Sequence, residues 1–193
     1  DPKQILLSNI LKQEEGAMVH STFYYPCENG SQFIVDRLAQ GLDIRLNSPV
    51  TLIEVTSINL SVNGEIYDNI VYTGDVRNLK NILTGTNGNT MKFLERVNNL
   101  PSNATSNVLC ECDPTDTSWL YLCDPSLAAH RIIYTGGFAK SNNRGSDRMT
   151  CVVEFSGSHD ENYMVQQLKP LPGNLNPLSF NYEPNSYVLQ ESN

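Results

Sequence analysis

A chain of 193 residues with 39% hydrophobic and 18% charged side chains has the composition of a folded globular protein, long enough to bury a core as one domain or two small ones. Its formal net charge of -8, with no basic run to offset it, removes the counterion-release drive of non-specific nucleic-acid binding. No apolar stretch reaches bilayer-spanning length, which predicts a soluble, cytoplasmic chain without a membrane span.

The chain opens at Asp1 without a Met, which reads as an excised piece, and Ile5, Leu6, Ile10 and Leu11 predict a short amphipathic helix from Gln4 to Lys12. Phe23-Tyr24-Tyr25-Pro26 is aromatic and extended, and Asn29-Gly30-Ser31 is a turn whose Ser31 is placed to cap the next helix. That helix, Gln32 to Leu42, carries a stripe of Phe33, Val35 to Leu38 and Leu42 expected to face a core, with Gly41 as its stop. Alternating runs follow at 43–46, 50–55, 58–62 and 65–73, and Asn63-Gly64 is a strong hairpin signal, so a three-stranded meander is expected. Helical spacing resumes from Asp75 through Leu79, Ile82 and Leu83, and again from Met91 to Leu100 after a Gly/Asn-rich loop. Apolar runs at Asn107 to Cys112, Trp119 to Cys123, Arg131 to Tyr134 and Met149 to Phe155, separated by Pro, Gly and Asn, predict an antiparallel sheet. A last helix is expected at His159 to Leu168, then an irregular Pro- and Asn-rich tail from Pro170 with a strand only at Tyr187 to Gln190. The class is therefore α+β: an antiparallel β-sheet with flanking helices plus a small β-meander.

No self-contained catalytic constellation is present. The sequence has no nucleophile elbow, no metal-spaced histidine pair and no G-x-G-x-x-G turn, and His20, His130 and His159 are scattered. Five cysteines, at 27, 110, 112, 123 and 151, are an odd count in a chain large enough to fold without disulfides, and free thiols are expected. Cys110, Cys112 and Cys123 lack the fourth ligand of a structural zinc site, so no metal is assigned. Asn-x-Ser/Thr triplets at Asn29, Asn59 and Asn103 are unremarkable among 22 asparagines. What remains is anion-binding and aromatic: Arg131 at a strand start, Trp119 and Tyr121 in a strand, Arg144 and Arg148 in a polar loop, and Tyr182 and Tyr187 in the tail. A guanidinium on a rigid strand can fork onto phosphate or carboxylate oxygens, although a single Arg at a strand start is more commonly a solvated surface charge. The shared Tyr-Thr-Gly of residues 72–74 and 134–136 has no matching flanks and is read as two strand ends rather than a repeat.

Three stretches carry a family resemblance. Phe23-Tyr-Tyr-Pro26 with Gly30, Arg37-Leu-Ala-Gln-Gly-Leu42 and Ile44-Arg-Leu-Asn-Ser-Pro-Val-Thr-Leu-Ile-Glu54 resemble the middle of FAD-dependent amine oxidase and protoporphyrinogen oxidase-like flavoproteins. Tyr67 to Asp75, and Ala129 to Phe138 with Val152 to Phe155 downstream, are similar to UDP-galactopyranose mutases. The mutase turn usually reads Gly-Pro-Ile-Asp, where this chain has Gly74-Asp-Val-Arg77, which leaves the substrate open. The resemblance implies an internal flavoenzyme segment: residues 1–78 adjoining the FAD domain and 79–193 belonging to the substrate-binding domain. It implies that Arg131 contacts the diphosphate of a sugar nucleotide with Tyr182 and Tyr187 assisting, and that Val50 lies near the cofactor's adenine end; Trp119 joins the substrate-binding candidates on its aromatic character. No catalytic residue is assigned. FAD is expected in the full-length protein and not on this segment, which by itself is expected to be inactive. The implied setting is cell-surface polysaccharide biosynthesis. An oxidase of the protoporphyrinogen or amine type, and a non-enzymatic carbohydrate- or protein-binding module, are the alternatives.

Overall fold

The structure is a computed structural model that describes residues 3, 7, 10, 11 and 22–189. Of the expected first helix, Leu7, Ile10 and Leu11 are helical and the rest lies outside the described residues. Two sheets organise the remainder. A four-stranded sheet is built from β1 (Ile53–Val55), β2 (Leu60–Val62), β3 (Glu65–Tyr67) and β4 (Leu83–Thr84), in the order β3-β2-β1-β4. The β2-β3 hairpin turns on Asn63 and Gly64, both at positive φ, as a primed two-residue turn requires. Asn63 also fixes the preceding loop: its Oδ1 accepts from the Thr51 and Leu52 amides at 2.9 and 3.1 Å, and its Nδ2 donates to the Pro49 carbonyl at 3.0 Å.

The expected meander is present but shorter than its sequence runs, because residues 43–46 and 68–73 form no strand. It gains β4, a stretch read as helical, which pairs parallel to β1. α1 (Gln32–Ala39) ends before Gly41, whose φ is +82°. Two expectations about α1 are corrected: Ser31 occupies the N-cap without a side-chain cap bond, and no α1 residue is buried. Its apolar stripe stays exposed because no described element packs over it. Asp75 caps a single helical turn at Val76–Asn78, which runs into α2 (Leu79–Ile82), and α3 (Gly88–Asn98) is capped by Asn87, whose Oδ1 accepts from two amides.

The larger sheet has five strands: β5 (Ser102–Cys112), β6 (Trp119–Tyr121), β7 (Ala129–Ile133), β8 (Met149–Ser156) and β9 (Asn176–Val188), in the order β6-β7-β8-β5-β9, all antiparallel. Alternation decides its faces. Val108, Cys110 and Cys112 of β5, Cys151, Val153 and Phe155 of β8, and Ile132 of β7 point to one side and are fully or almost fully buried under Met164 and Leu168 of α4 (Glu161–Leu168) and Leu171. The intervening residues form a second face, half-buried around Arg131 and Glu154 and covered at Thr150 by the helical turns of residues 135–143. β9 corrects the expectation of an irregular tail. It pairs along β5 with register shifts next to Pro177 and Pro184, the behaviour of prolines tolerated at a sheet edge.

Candidate functional site

The second face of the five-stranded sheet presents a row of side chains in register across every strand: Tyr121, Arg131, Glu154, Asn107 and Asn181. Arg131 is not a solvated surface charge. Its Nε donates to Glu154 Oε2 at 2.5 Å, and the two side chains are 22% and 16% exposed. The guanidinium carbon lies 5.8 Å from the Tyr121 ring centroid, a cation–π distance. The Glu154 hydrogen bond raises the guanidinium pKa further, against the opposing effect of partial burial, so Arg131 is a permanent cation locked to a carboxylate. His130 Nε2 lies 3.6 Å from the same Glu154 oxygen. A bulge between Ala129 and Arg131 brings His130 beside the pair without displacing Arg131 from its register. Asn107 Oδ1 and His130 Nδ1 are buried without a hydrogen-bond partner, leaving unused polar capacity beside the ion pair.

Trp119 stands two residues from Tyr121 and shares its face. It packs against Phe23 at a centroid distance of 5.1 Å and Phe138 at 5.6 Å, with Tyr25 against Phe138 at 5.3 Å. The extended aromatic segment near residue 23 is thereby seated on the sheet's β6 edge, and Ser141 donates to the Cys27 carbonyl at 2.9 Å to hold it there. Gly136 is required for packing rather than for turning: a Cβ there would lie 2.1 Å from Asn143 Oδ1 and 2.5 Å from the Thr150 amide.

The remaining sequence candidates fall elsewhere. Tyr182 is in register with Ser106 and therefore points to the side of the sheet opposite Arg131, while Tyr187 is in register with Asn103 near the start of β5. Val50 borders a separate cleft beside the meander with Arg45, Glu65 and Tyr67, where Arg45 makes a forked contact to Glu65 at 2.7 and 2.8 Å. Arg148 is held by the Asn174 carbonyl at 2.6 Å, and Arg144 sits in a left-handed turn; neither joins the row. Cys110, Cys112 and Cys151 belong to the core, whereas Cys27 and Cys123 are exposed. Burial pushes the Cys112 thiol up to about 12. Among the described residues no group of three His, Cys, Asp or Glu is placed to hold a metal. Glu154 and Asn107 were missed by motif reading. Glu154 had one legible signal, as the sole charge in the strand Met149–Ser156.

No family model matches the chain, and no curated protein matches it. Solved structures do. One described as reduced UDP-galactopyranose mutase aligns with 97% of this chain and 46% of its own length, with a TM-score of 0.75 and 16% identity. The fold is shared. A protein from Exiguobacterium sp. 255-15 named as a protoporphyrinogen oxidase aligns with 82% of this chain and 40% of its own, at a TM-score of 0.56 and 14% identity. The chain thus spans less than half the length of either neighbour, and both are proteins to which its motifs bear a resemblance.

Proposed function

We propose that this chain is the substrate-binding portion of an FAD-dependent oxidoreductase or sugar-nucleotide mutase, with the open face of the five-stranded sheet as its ligand platform. The observation that carries this reading is the mutase-like fold extending over 97% of the chain. The row around Arg131 supports it as the half-buried polar surface where motif and fold coincide. In this reading residues 1–78 adjoin the cofactor domain and 79–193 bind substrate. Glu154 holds the Nε edge of Arg131, so the guanidinium meets a sugar-nucleotide diphosphate in a fixed orientation. Trp119 bounds the face and Tyr187 contributes from β9, whereas Tyr182, turned to the other side of the sheet, is not part of this platform. The polysaccharide setting follows from the mutase resemblance.

FAD belongs to this reading through the same resemblance. The residues present do not build a dinucleotide-phosphate site. Among the described residues parallel pairing is limited to Ile53 with Leu83 and Glu54 with Thr84, and the sequence has no G-x-G-x-x-G turn. What the chain offers the cofactor is the rim around Val50, and no chemical step is assigned to its residues. The test is titration of a full-length protein carrying this sequence with UDP-galactose. Arg131→Ala is expected to weaken binding at least tenfold, about 1.4 kcal/mol; unchanged affinity would remove Arg131 from the site. The second reading, an oxidase of the protoporphyrinogen or amine type, is favoured by the likeness to the Exiguobacterium protein. It predicts no UDP-sugar binding in the same titration.

A further inference from the structure

A further cleft lies where α2, the end of α3 and β9 meet. It has a volume of 330 Å³ and is lined by Asp75, Arg77, Asn78, Asn81, Asn98 and Asn185, sharing no residue with the row around Arg131. Every lining residue is polar, whereas a small-molecule site is ordinarily apolar with a few polar groups, so a ligand suited to this cleft is itself polar over most of its surface.

The walls are already set. Arg77 Nε and Nη2 donate to the two oxygens of Asp75 at 3.0 and 2.6 Å, which neutralises both charges within the cleft. Asn185 Oδ1 accepts from Arg77 Nη2 and from Ser102 Oγ, each at 2.9 Å, which fixes the amide and leaves its Nδ2 hydrogens as donors. The side chains of Asn78, Asn81 and Asn98 make no hydrogen bond with any described residue. Each carries two donors and one acceptor, and with Asn185 they border one internally neutralised cleft, Asn78, Asn81 and Asn185 as exposed residues and Asn98 half-buried. An anion would find no free cation there and would meet the Asp75 carboxylate. Hydroxyl groups, each able to donate and accept, match amides that offer both donors and an acceptor.

We propose that this cleft is a subsite for a neutral saccharide, taking the hydroxyl-bearing edge of a hexose. The proposal holds whether or not the open sheet face binds a sugar nucleotide. It is tested by titrating the purified chain with D-galactose and, separately, with inorganic phosphate, while following the asparagine side-chain amide signals in ¹H–¹⁵N spectra. The hexose is expected to shift the signals of Asn78, Asn81, Asn98 and Asn185 with a millimolar dissociation constant, and phosphate to leave them in place. Asn81→Ala combined with Asn98→Ala is expected to raise that constant at least tenfold with the melting temperature retained. Absence of a hexose shift, an equal shift in the double variant, or a shift by phosphate alone would overturn the proposal. Failure of the Arg131→Ala titration concerns the sheet face and leaves these signals untouched.

Discussion

Arg131 and Glu154 form a cross-strand pair whose two charges are mostly removed from water, so neither partner can be deleted without stranding the other. Glu154→Ala is expected to lower stability by about 2 kcal/mol, the cost of an unsatisfied charged donor, in urea unfolding. The double replacement Arg131→Met with Glu154→Leu should cost less than that single change, because no buried charge is left unpaired. Gly85 is constrained more severely. Its φ is +75° and a Cβ would lie 1.9 Å from the Val55 carbonyl oxygen, at the point where β4 joins β1. Gly85→Ala combines backbone strain with a steric clash and is expected to cost about 2 kcal/mol or more in the same measurement. Asp75 adds a pH dependence. Its side-chain hydrogen bond from Arg77 holds the carboxyl below the usual carboxylate range. The stabilisation is therefore present above the unfolded carboxyl value, about 3.9, and is lost as pH falls through the lowered folded value. Asp75→Asn should flatten the acid limb of a stability-versus-pH curve.

At the scale of elements, legibility followed how local the determining forces were. Asn63-Gly64 and the alternation of β5 and β8 are set by residues a few positions apart, and the structure has each of them. β9 was not legible because Pro177 and Pro184 argue against a strand; it forms only because β5 offers an open edge, with the register shifting beside each proline. The Arg131 platform was half legible. The cation stood out in the sequence, but Glu154 lies 23 residues away and is joined to it by pairing alone. α1 shows the converse case, a correct helix whose stripe has no described partner: Leu38 is 73% exposed. Leu38→Lys should accordingly change the stability of this chain by less than about 0.5 kcal/mol while lowering its self-association, measured by sedimentation. A larger loss would mean that the stripe is packed in solution.

In the molecule as a whole, the Arg131 row lies on the side of the five-stranded sheet opposite one dense layer between that sheet and α4. That layer is unusually rich in sulfur. Cys110 and Cys151 are cross-strand partners, and Cys112 lies on the same face, all three fully buried. Buried thiols in apolar surroundings are inert because the reactive thiolate is disfavoured. Of the five cysteines, only the exposed Cys27 and Cys123 should react rapidly with a thiol reagent in the native state. The same burial makes the layer sensitive to base. The Cys151 thiol is raised first by its hydrogen bond with Cys110 and then by burial, the Tyr134 hydroxyl is raised by burial, and the Cys112 thiol moves from 9.0 to about 12. Groups whose folded pKa lies above the unfolded one stabilise fully below the unfolded value. For Cys112 that contribution is complete below 9.0 and disappears as pH rises through about 12. The urea midpoint should therefore fall steadily in that window, the three protected thiols should become reactive in step with unfolding, and Cys112→Ala should make the fall shallower. An alkaline limb unchanged by Cys112→Ala would show that another group governs the base sensitivity of the core.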